Sequence, residues 1–254
     1  MKRWNLWVFG MIAGCVLIPT EATCEGYGFY GWGRGWPKIG LPGFLEDQVP
    51  AFKGVSADLR HDHFTIGYMY DGASTEEDRF GWRFNVGLDI VVTSLQGANV
   101  PSQIGLGLQD LSSNLYDAVG YGFATKLAYG YGIVRTPKMR VWVGPSVRLN
   151  ANYIDQGTTS IKEGSFQIEL DPWGVMLSLG GGVEGGIRYA VGPELSVDFS
   201  TGFHYNFFGY YQEANLTVNS QSPGSDSSFF TGEEPFVFIQ LALRFRFGDG
   251  EESR

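Results

Sequence analysis

The sequence predicts an all-β chain that forms an eight-stranded antiparallel up-and-down transmembrane β-barrel. The first observation is the run 236–247, whose side chains alternate between two faces with the period of a strand. Its odd positions are wholly apolar, and its even positions end in two arginines. At about 3.3 Å per residue, this run can cross a bilayer core of about 30 Å at a tilt. Other segments alternate in the same way, and the connections between them vary between tight turns and long polar stretches.

The composition argues against two other classes of protein. The 254 residues have a mean hydropathy of -0.09, and no apolar run of about 18 or more residues follows the N-terminal segment, so a bundle of transmembrane helices is not expected. The net charge of -9 supplies no basic surface for phosphates, so we expect no nucleic-acid partner. The 37 Gly, 19 Phe and 13 Tyr suit a chain with many turns and aromatic interface belts.

Residues 1–22 predict a cleavable secretory signal, because a basic start precedes an apolar stretch and small residues near Ala22. The chain is therefore expected to be exported to the cell outer membrane. An alternative is lipidation at Cys15, which lies in a lipobox-like sequence. With cleavage near Ala22, Cys24 is the remaining cysteine, so the sequence predicts neither an intramolecular disulfide nor a thiolate metal site.

Residues 23–54 are rich in glycine and aromatic residues, and we interpret them as an N-terminal extension that precedes the barrel. Pro37, Pro42 and Pro50 argue against a long regular element there. The segment 26–31 matches G-x-G-x-x-G, but no strand precedes it and no helix follows, so we do not expect a nucleotide site. The barrel is predicted over 55–247, and a short acidic tail over 248–254.

Eight strands are predicted, with starts near 55, 80, 102, 118, 139, 174, 195 and 236. In the first strand, Leu59 and the apolar residues before it have one parity, whereas Phe64 and those after it have the other. A bulge is therefore expected within 60–63. The connections 136–138 and 192–194 are tight, whereas 71–79, 155–172 and 212–235 are long and polar and are predicted to be outer loops.

The alternation also fits a soluble β-sandwich, in which the apolar faces would meet in a core. Here the apolar faces carry Phe and Tyr near strand ends, whereas the polar faces are dense in Gly, Ala and Ser. Aromatic girdles and a cramped polar interior are typical of membrane barrels. The apolar faces are therefore expected to contact lipid, and the even strand count places both termini on the periplasmic side.

The segments 64–71, 80–88 and 140–148 share this alternation, and 236–247 combines it with a terminal aromatic residue. In these segments the chain resembles the family of small eight-stranded outer-membrane β-barrels, which are OmpA-like or porin-like. The resemblance implies a monomer embedded in outer-membrane lipid and inserted by the barrel-assembly machinery with periplasmic chaperones. It also implies that Phe245 and Phe247 form the assembly signal. Family members usually end at the last Phe, whereas here seven residues follow it.

The face opposite the lipid is predicted to carry charges into the lumen. These lumen-facing residues are Arg83, Asp89, Lys126, Arg140, Arg148, Glu184, Arg188, Asp198, Arg244 and Arg246. Basic groups exceed acidic groups by four in this set, so the lumen is expected to be net basic. Because buried charges need partners, we predict that Arg188, Glu184 and Asp198 form a cross-strand network.

A lumen filled by paired charges favours a plug, because eight strands enclose a space that side chains can fill. The predicted function is that of a non-catalytic integral outer-membrane protein with a structural or surface-interaction role through its external loops, toward an external ligand that the sequence does not identify. An alternative is a narrow porin-like channel that favours anions, since many inward positions are glycine and leave room.

A third hypothesis is an outer-membrane lipid-modifying enzyme, which needs a histidine beside a nucleophile. His204 shares a strand face with Ser200, but positions two apart on one face are already about 7 Å apart, so these two side chains are too distant to pair. We therefore predict no catalytic residues. His61 and His63 suggest a metal site, yet no third ligand lies nearby in the sequence. The sequence thus predicts no metal and no cofactor.

Overall fold

The computed structural model describes residues 25–40, 56–71, 79–99, 118–155, 157–163, 166–192, 195–218 and 221–245. They form ten strands: β1 (Glu25–Gly35), β2 (Lys38–Gly40), β3 (Ser56–Asp71), β4 (Phe80–Asn99), β5 (Ala118–Arg135), β6 (Met139–Asp155), β7 (Thr159–Glu163), β8 (Phe166–Ala190), β9 (Leu195–Val218) and β10 (Gln221–Phe245). Within these segments there is no helix long and apolar enough to span a membrane. The predicted signal peptide, the strand predicted near 102, Arg246, Phe247 and the tail 248–254 lie outside the described residues.

Eight of these strands close into one antiparallel barrel. Their order around the ring is β1, β10, β9, β8, β6, β5, β4 and β3, and β3 then pairs with β1. The two short strands lie off the ring, where β2 pairs with β3 and β7 pairs with β8. The predicted fold class, an eight-stranded antiparallel up-and-down barrel, is confirmed.

The first barrel strand lies inside the segment that was predicted to be an extension. β1 pairs with β10 over Gly28–Gly35 and with β3 over Glu25–Gly35, so it closes the ring. The extension over 23–54 was a wrong prediction in this part. The reason is that aromatic residues lie on both faces of β1, with Tyr27 and Phe29 inward and Tyr30 outward, so the contrast between the two faces by which the other strands are predicted is lost. β4 and β5 are neighbours in the ring, and the segment predicted as a strand near 102 lies outside the described residues.

The register fixes the tilt of the strands. The shear can be measured by starting at Leu241 on β10 and stepping to the directly opposite residue on each neighbouring strand of the ring in turn. This path returns to β10 at Thr231, ten residues before its starting point. This displacement is the shear of the barrel. Eight strands with this shear tilt by roughly 40° to the barrel axis, as expected for small closed barrels.

The polarity of the barrel is the inverse of that of a soluble protein. On the closing strand Val237, Ile239, Leu241 and Leu243 are 37–46% exposed and face outward, as predicted. The side chains between them are buried in the interior. Outward apolar residues and inward polar residues also alternate along β5, β6, β8 and β9. An apolar outer surface over a polar interior is the arrangement of a transmembrane barrel of the outer-membrane type.

Two aromatic girdles mark the limits of the apolar surface. At one limit the ring of Phe80 lies 5.7 Å from that of Tyr129 and 5.3 Å from that of Tyr131. At the other limit four rings follow one another across neighbouring strands at 5.5–6.3 Å, namely Tyr121, Tyr153, Trp173 and Tyr211. The stretch of β5 between Tyr121 and Tyr131 is about 33 Å long. At a tilt of roughly 40° it spans about 25 Å, the height of the apolar band of an outer-membrane barrel.

The two ends of the barrel differ from the predicted loop pattern. β1 begins and β10 ends at the same end, and the tight turns after β5 and β8 also lie there. The connection 72–79 joins β3 to β4 at this terminal end, so its assignment as an outer loop was wrong. At the opposite end most of 155–172 and 212–235 is strand, because β7 pairs with β8 and the hairpin of β9 and β10 continues beyond the ring. These segments were predicted to be loops because their composition is polar, although their backbone forms strands.

The irregularity in β3 lies earlier than expected. The register with β4 shifts between Asp58 and Leu59, and Leu59 faces the interior with 3% exposure. From there to Asp71 the strand is regular, so His61 and His63 both point into the barrel, where they are buried. The bulge predicted within 60–63 was therefore misplaced.

Candidate functional site: the barrel interior

The candidate site is the interior, where the sequence predicted ten charged side chains. Six of these are buried there: Arg83, Asp89, Lys126, Arg148, Glu184 and Asp198. Three are half-buried toward the terminal end: Arg140, Arg188 and Arg244. The tenth, Arg246, falls outside the described residues. Of the predicted assembly signal, Phe245 is the last residue of β10 and pairs with Leu195.

Two arginines and two aspartates form a ring of ion pairs at the terminal end. Arg83 donates to Asp198 through Nη1 (2.9 Å to Oδ1) and Nη2 (2.7 Å to Oδ2), and through Nε to Asp71 Oδ1 at 3.0 Å. Arg188 donates to the same carboxylates, through Nε to Asp198 Oδ2 at 3.2 Å and through Nη2 to Asp71. The hydroxyl of Tyr27 donates to Asp71 Oδ2 at 2.7 Å. Because every charge has partners of opposite sign, the ring is stable away from bulk water.

A second ion pair lies in the middle of the lumen. Lys126 Nζ donates to Glu184 Oε1 at 2.7 Å and to Gln240 Oε1 at 2.9 Å. Asn85 Nδ2 donates to the same oxygen of Gln240 at 3.0 Å. These four residues come from β4, β5, β8 and β10, so one network ties together opposite walls of the barrel.

The structure divides the predicted network of Arg188, Glu184 and Asp198 between these two groups. Arg188 lies directly opposite Asp198 in the register of β8 and β9, and the two are bonded. Glu184 is four residues away from Arg188 on the same face, which is about 13 Å along the strand. It therefore binds Lys126 instead.

Asp89 organises a third cluster toward the other end of the barrel. Its Oδ2 lies 2.7 Å from Nδ1 of His63 and accepts from Asn152 Nδ2 at 3.3 Å. Its Oδ1 accepts from Thr65 Oγ1 at 2.8 Å and lies 3.8 Å from Nη2 of Arg148. The carboxylate is fully enclosed, and four side chains from β3 and β6 fix its position.

Glu234 reaches into the interior from β10 and meets His61 across β1. Its Oε1 lies 3.0 Å from Nδ1 of His61, and its Oε2 accepts from Asn206 Nδ2 at 3.1 Å. The side chain passes over Gly35, where a Cβ atom would lie 1.9 Å from Oε1. Only glycine leaves this path open, so β1 is built to let the carboxylate cross it.

His204 pairs with a serine in the interior, but the partner is Ser146 and not Ser200, which the sequence analysis considered. His204 Nε2 lies 2.6 Å from Oγ of Ser146 on β6, and both residues are buried. Nδ1 of His204 has no hydrogen-bond partner among the described residues, so no acid orients the ring. Neither of the two cavities described below is lined by this pair.

The remaining space is filled by aromatic rings with cations above them. Arg83 lies over Trp142 at 4.7 Å, Lys126 over Phe238 at 4.0 Å, and Arg148 over Phe236 at 4.1 Å. Such contacts stabilise desolvated cations. The same rings occupy the room beside inward glycines. A Cβ atom would lie 2.1 Å from Phe236 at Gly33, 2.6 Å from Trp142 at Gly130, and 2.8 Å from Phe238 at Gly202.

Two small cavities remain in the interior. One of about 40 Å³ lies between β1 and Lys126, and one of about 30 Å³ lies beside the terminal ring of ion pairs. Each has room for only one or two water molecules. The described interior is therefore closely packed both around Lys126 and beside the terminal ring of ion pairs.

Sequence reasoning missed three groups of the interior, because it predicts loops or an N-terminal extension in their segments. Asp71 and Glu234 lie at the edges of segments predicted to be wet loops, and Tyr27 lies in the predicted extension. Asp71 and Glu234 add two carboxylates to the described interior, so the excess of basic groups there is smaller than the four expected. The signal that could have found them is parity, because each continues the inward positions of its strand.

Comparison with solved structures finds likenesses of low identity to bacterial surface and outer-membrane proteins. The crystal structure of Neisserial surface protein A is 16% identical, with 87% of this chain and 99% of that chain covered and a TM-score of 0.39. A major outer membrane protein from Thermus thermophilus is 15% identical, with 87% of this chain and 99% of that chain covered and a TM-score of 0.45. The outer membrane protein OprG from Pseudomonas aeruginosa is 12% identical, with 87% of this chain and 97% of that chain covered and a TM-score of 0.37. No protein-family model matches the chain, and the search of curated proteins finds no significant match.

At these identities the assignment rests on the chain's own surfaces. An apolar band of bilayer height, two aromatic girdles and a polar, ion-paired interior require a lipid environment on the outside of the barrel. The chain is an integral outer-membrane β-barrel.

Proposed function

We propose that this protein is a closed, non-catalytic barrel that anchors a protruding sheet and acts by binding a partner through that sheet. The observation that carries the proposal is the mismatch in strand length. β8, β9 and β10 have 25, 24 and 25 residues, whereas β3, β5 and β6 have 16, 18 and 17. The additional residues all extend beyond the end opposite the termini.

The protruding sheet consists of β7 with the outer parts of β8, β9 and β10. Beyond Trp173 of the upper girdle, β8 continues to pair with β9 and β7 while β6 has ended. β10 pairs with β1 only from Phe236 onward, and just beyond it Trp36 N donates to Pro235 O at 3.2 Å and Lys38 lies beside Gly232. Farther out, the part of β10 that includes Phe229 pairs with β9 among the described residues. An unpaired strand edge presents backbone N–H and C=O groups that an extended partner segment can join.

The exposed face of this sheet carries an aromatic anchor. Phe229 is 68% exposed and lies opposite Tyr211 of the upper girdle, so this aromatic residue lies at the base of the protruding sheet, beside the membrane. Aromatic residues surrounded by polar ones are typical centres of interaction surfaces. The tight turns after β5 and β8 lie at the same end as both termini. Short turns are typical of the periplasmic end of such barrels, so we expect the sheet to extend to the cell exterior.

The interior supports an anchor better than a channel or an enzyme. Its charges are paired across the lumen, its glycine positions are filled by rings, and its cavities hold one or two waters. The narrow pore that the glycines suggested is therefore not favoured, because the room they leave is occupied.

Two measurements on purified protein in liposomes test this proposal. Protease added outside should cut the protruding sheet within 212–231 and leave the barrel between the girdles intact. Planar bilayer recordings of the same protein should show no conductance above that of the bare bilayer. Protection of 212–231 from protease would contradict the protruding sheet, and steady single-channel steps would contradict the closed anchor. As a control, a variant with Phe229→Ala should keep the heat-modifiable mobility of the folded barrel on a gel.

A further inference from the structure

Three buried side chains converge at the seam where the first and last barrel strands meet. His61 and His63 point inward from β3, and Glu234 points inward from β10. They are 4%, 1% and 1% exposed. One ring nitrogen from each histidine and one carboxylate oxygen lie within 4.8 Å of one another. Donor atoms on a tetrahedral zinc ion at about 2.0–2.1 Å are about 3.4 Å apart, so small side-chain rotations would bring these atoms to ligand distances.

The orientation of His63 leaves one ring nitrogen for a ligand. Its Nδ1 lies 2.7 Å from Asp89 Oδ2, which fixes the ring. Its Nε2 is buried and has no hydrogen-bond partner among the described residues. A buried polar atom without a partner is uncommon and needs an explanation. A carboxylate on one nitrogen and a metal ion on the other is the usual environment of a metal-binding histidine.

The carboxylate of Glu234 is held in a similar way. Its Oε2 accepts a hydrogen bond from Asn206 Nδ2 at 3.1 Å, and its Oε1 faces His61. Gly35 gives it a path across β1, since a Cβ atom there would lie 1.9 Å from Oε1. The ring of Phe236 packs edge-on against His63 at 5.3 Å and closes the site on one side.

A simpler interpretation is a buried ion pair between His61 and Glu234 alone. That pair accounts for the contact of 3.0 Å between them. It does not account for Nε2 of His63, nor for two histidines that face one carboxylate from the same strand. A cation among the three groups satisfies all of these atoms together.

We propose that His61, His63 and Glu234 bind one divalent transition-metal ion, with Zn²⁺ as the best match. Two imidazoles and one carboxylate form a donor set that suits Zn²⁺ and leaves a fourth position for water. Because His61 and His63 lie on β3 and Glu234 lies on β10, the ion joins these strands across β1. It acts as a structural clamp at the seam of the barrel, independently of what the protruding sheet binds.

The test is metal binding by the full mature barrel, refolded in detergent, treated with a chelator and dialysed. Isothermal titration with Zn²⁺ should show one site per chain, and Co²⁺ should give the visible absorption of a four- or five-coordinate ion with imidazole ligands. The site should be lost in His63→Gln. Asn206→Ala keeps all three ligands but removes the support of Glu234, so its affinity should fall by about tenfold or more.

The matched control is His204→Gln, which removes another buried imidazole that is hydrogen-bonded to Ser146. This variant should bind Zn²⁺ like the unmodified protein. The proposal is overturned if the unmodified protein binds no Zn²⁺, or if His204→Gln weakens the site as much as His63→Gln. Heat-modifiable mobility on a gel shows which variants fold. If His63→Gln does not fold, the Co²⁺ spectrum of the unmodified protein decides the question, and absence of its bands overturns the site.

Discussion

Asp198 on β9 binds Arg83 on β4 through both carboxylate oxygens, at 2.9 and 2.7 Å, and thereby joins opposite walls of the barrel. Bidentate pairs of this kind are among the strongest side-chain hydrogen bonds. Asp198 is 2% exposed, so the loss of its charge would leave two arginines short of a partner in a site with little water.

We therefore expect Asp198→Asn to lower the free energy of unfolding by about 3–5 kcal/mol, as is typical when one partner of a buried ion pair is removed. Urea titration of the barrel in lipid vesicles, followed by heat-modifiable mobility, measures this. The matched control is Asp171→Asn, since Asp171 is exposed beyond the ring and accepts one hydrogen bond from Thr158. Equal effects of the two substitutions would show that the ring of ion pairs does not stabilise the barrel.

The pair of Lys126 and Glu184 should behave as a unit. Glu184→Gln alone leaves a buried ammonium group, so we expect a loss of about 3 kcal/mol or more. Lys126→Met combined with Glu184→Gln removes both charges and should recover most of that loss. A double-mutant cycle from urea titrations gives the coupling energy. Additive effects of the two substitutions would contradict the contact of 2.7 Å between them.

Two glycines of β1 should respond differently to the same substitution. Gly35→Ala places a Cβ atom 1.9 Å from Glu234 Oε1, whereas Gly28→Ala meets nothing within 4 Å. We expect Gly35→Ala to displace Glu234, to destabilise the barrel by about 1–3 kcal/mol, and to weaken Zn²⁺ binding. Gly28→Ala should have little effect. Comparable urea midpoints for the two variants would contradict the path of Glu234 across β1.

The position of the membrane can be tested on β5 alone. Leu127 lies midway between the girdle residues Tyr121 and Tyr131 and is 51% exposed, whereas Ile133 lies beyond Tyr131 and is 60% exposed. Leu127→Arg should cost about 2–4 kcal/mol, because arginine then lies at the bilayer midplane. Ile133→Arg should cost about 0–1 kcal/mol, because it lies at the interface. A larger loss of unfolding free energy for Ile133→Arg than for Leu127→Arg, measured by urea titration in vesicles, would contradict this position of the apolar band.

Most of the lipid-facing surface could be predicted from the sequence. Alternation with period 2 along the closing strand and along β5 requires one apolar face, and that requirement is local to each strand. The assignment failed where aromatic residues lie on both faces, as with Phe29 and Tyr30 on β1, or where outward residues become polar beyond the membrane, as in the outer part of β10. In both places the contrast between the two faces disappears, although the backbone remains a strand.

The sequence by itself determined that this chain is a membrane barrel with charges inside, because polarity alternates residue by residue and the lipid requires it. Only the tertiary structure decided which charges meet. Arg188 binds Asp198, Glu184 binds Lys126, and Glu234 reaches His61 across a glycine, from positions as far as 173 residues apart in the chain. The physical reason is that partners in a lumen are set by the register and shear of the closed ring, which hydrogen bonds between distant strands establish.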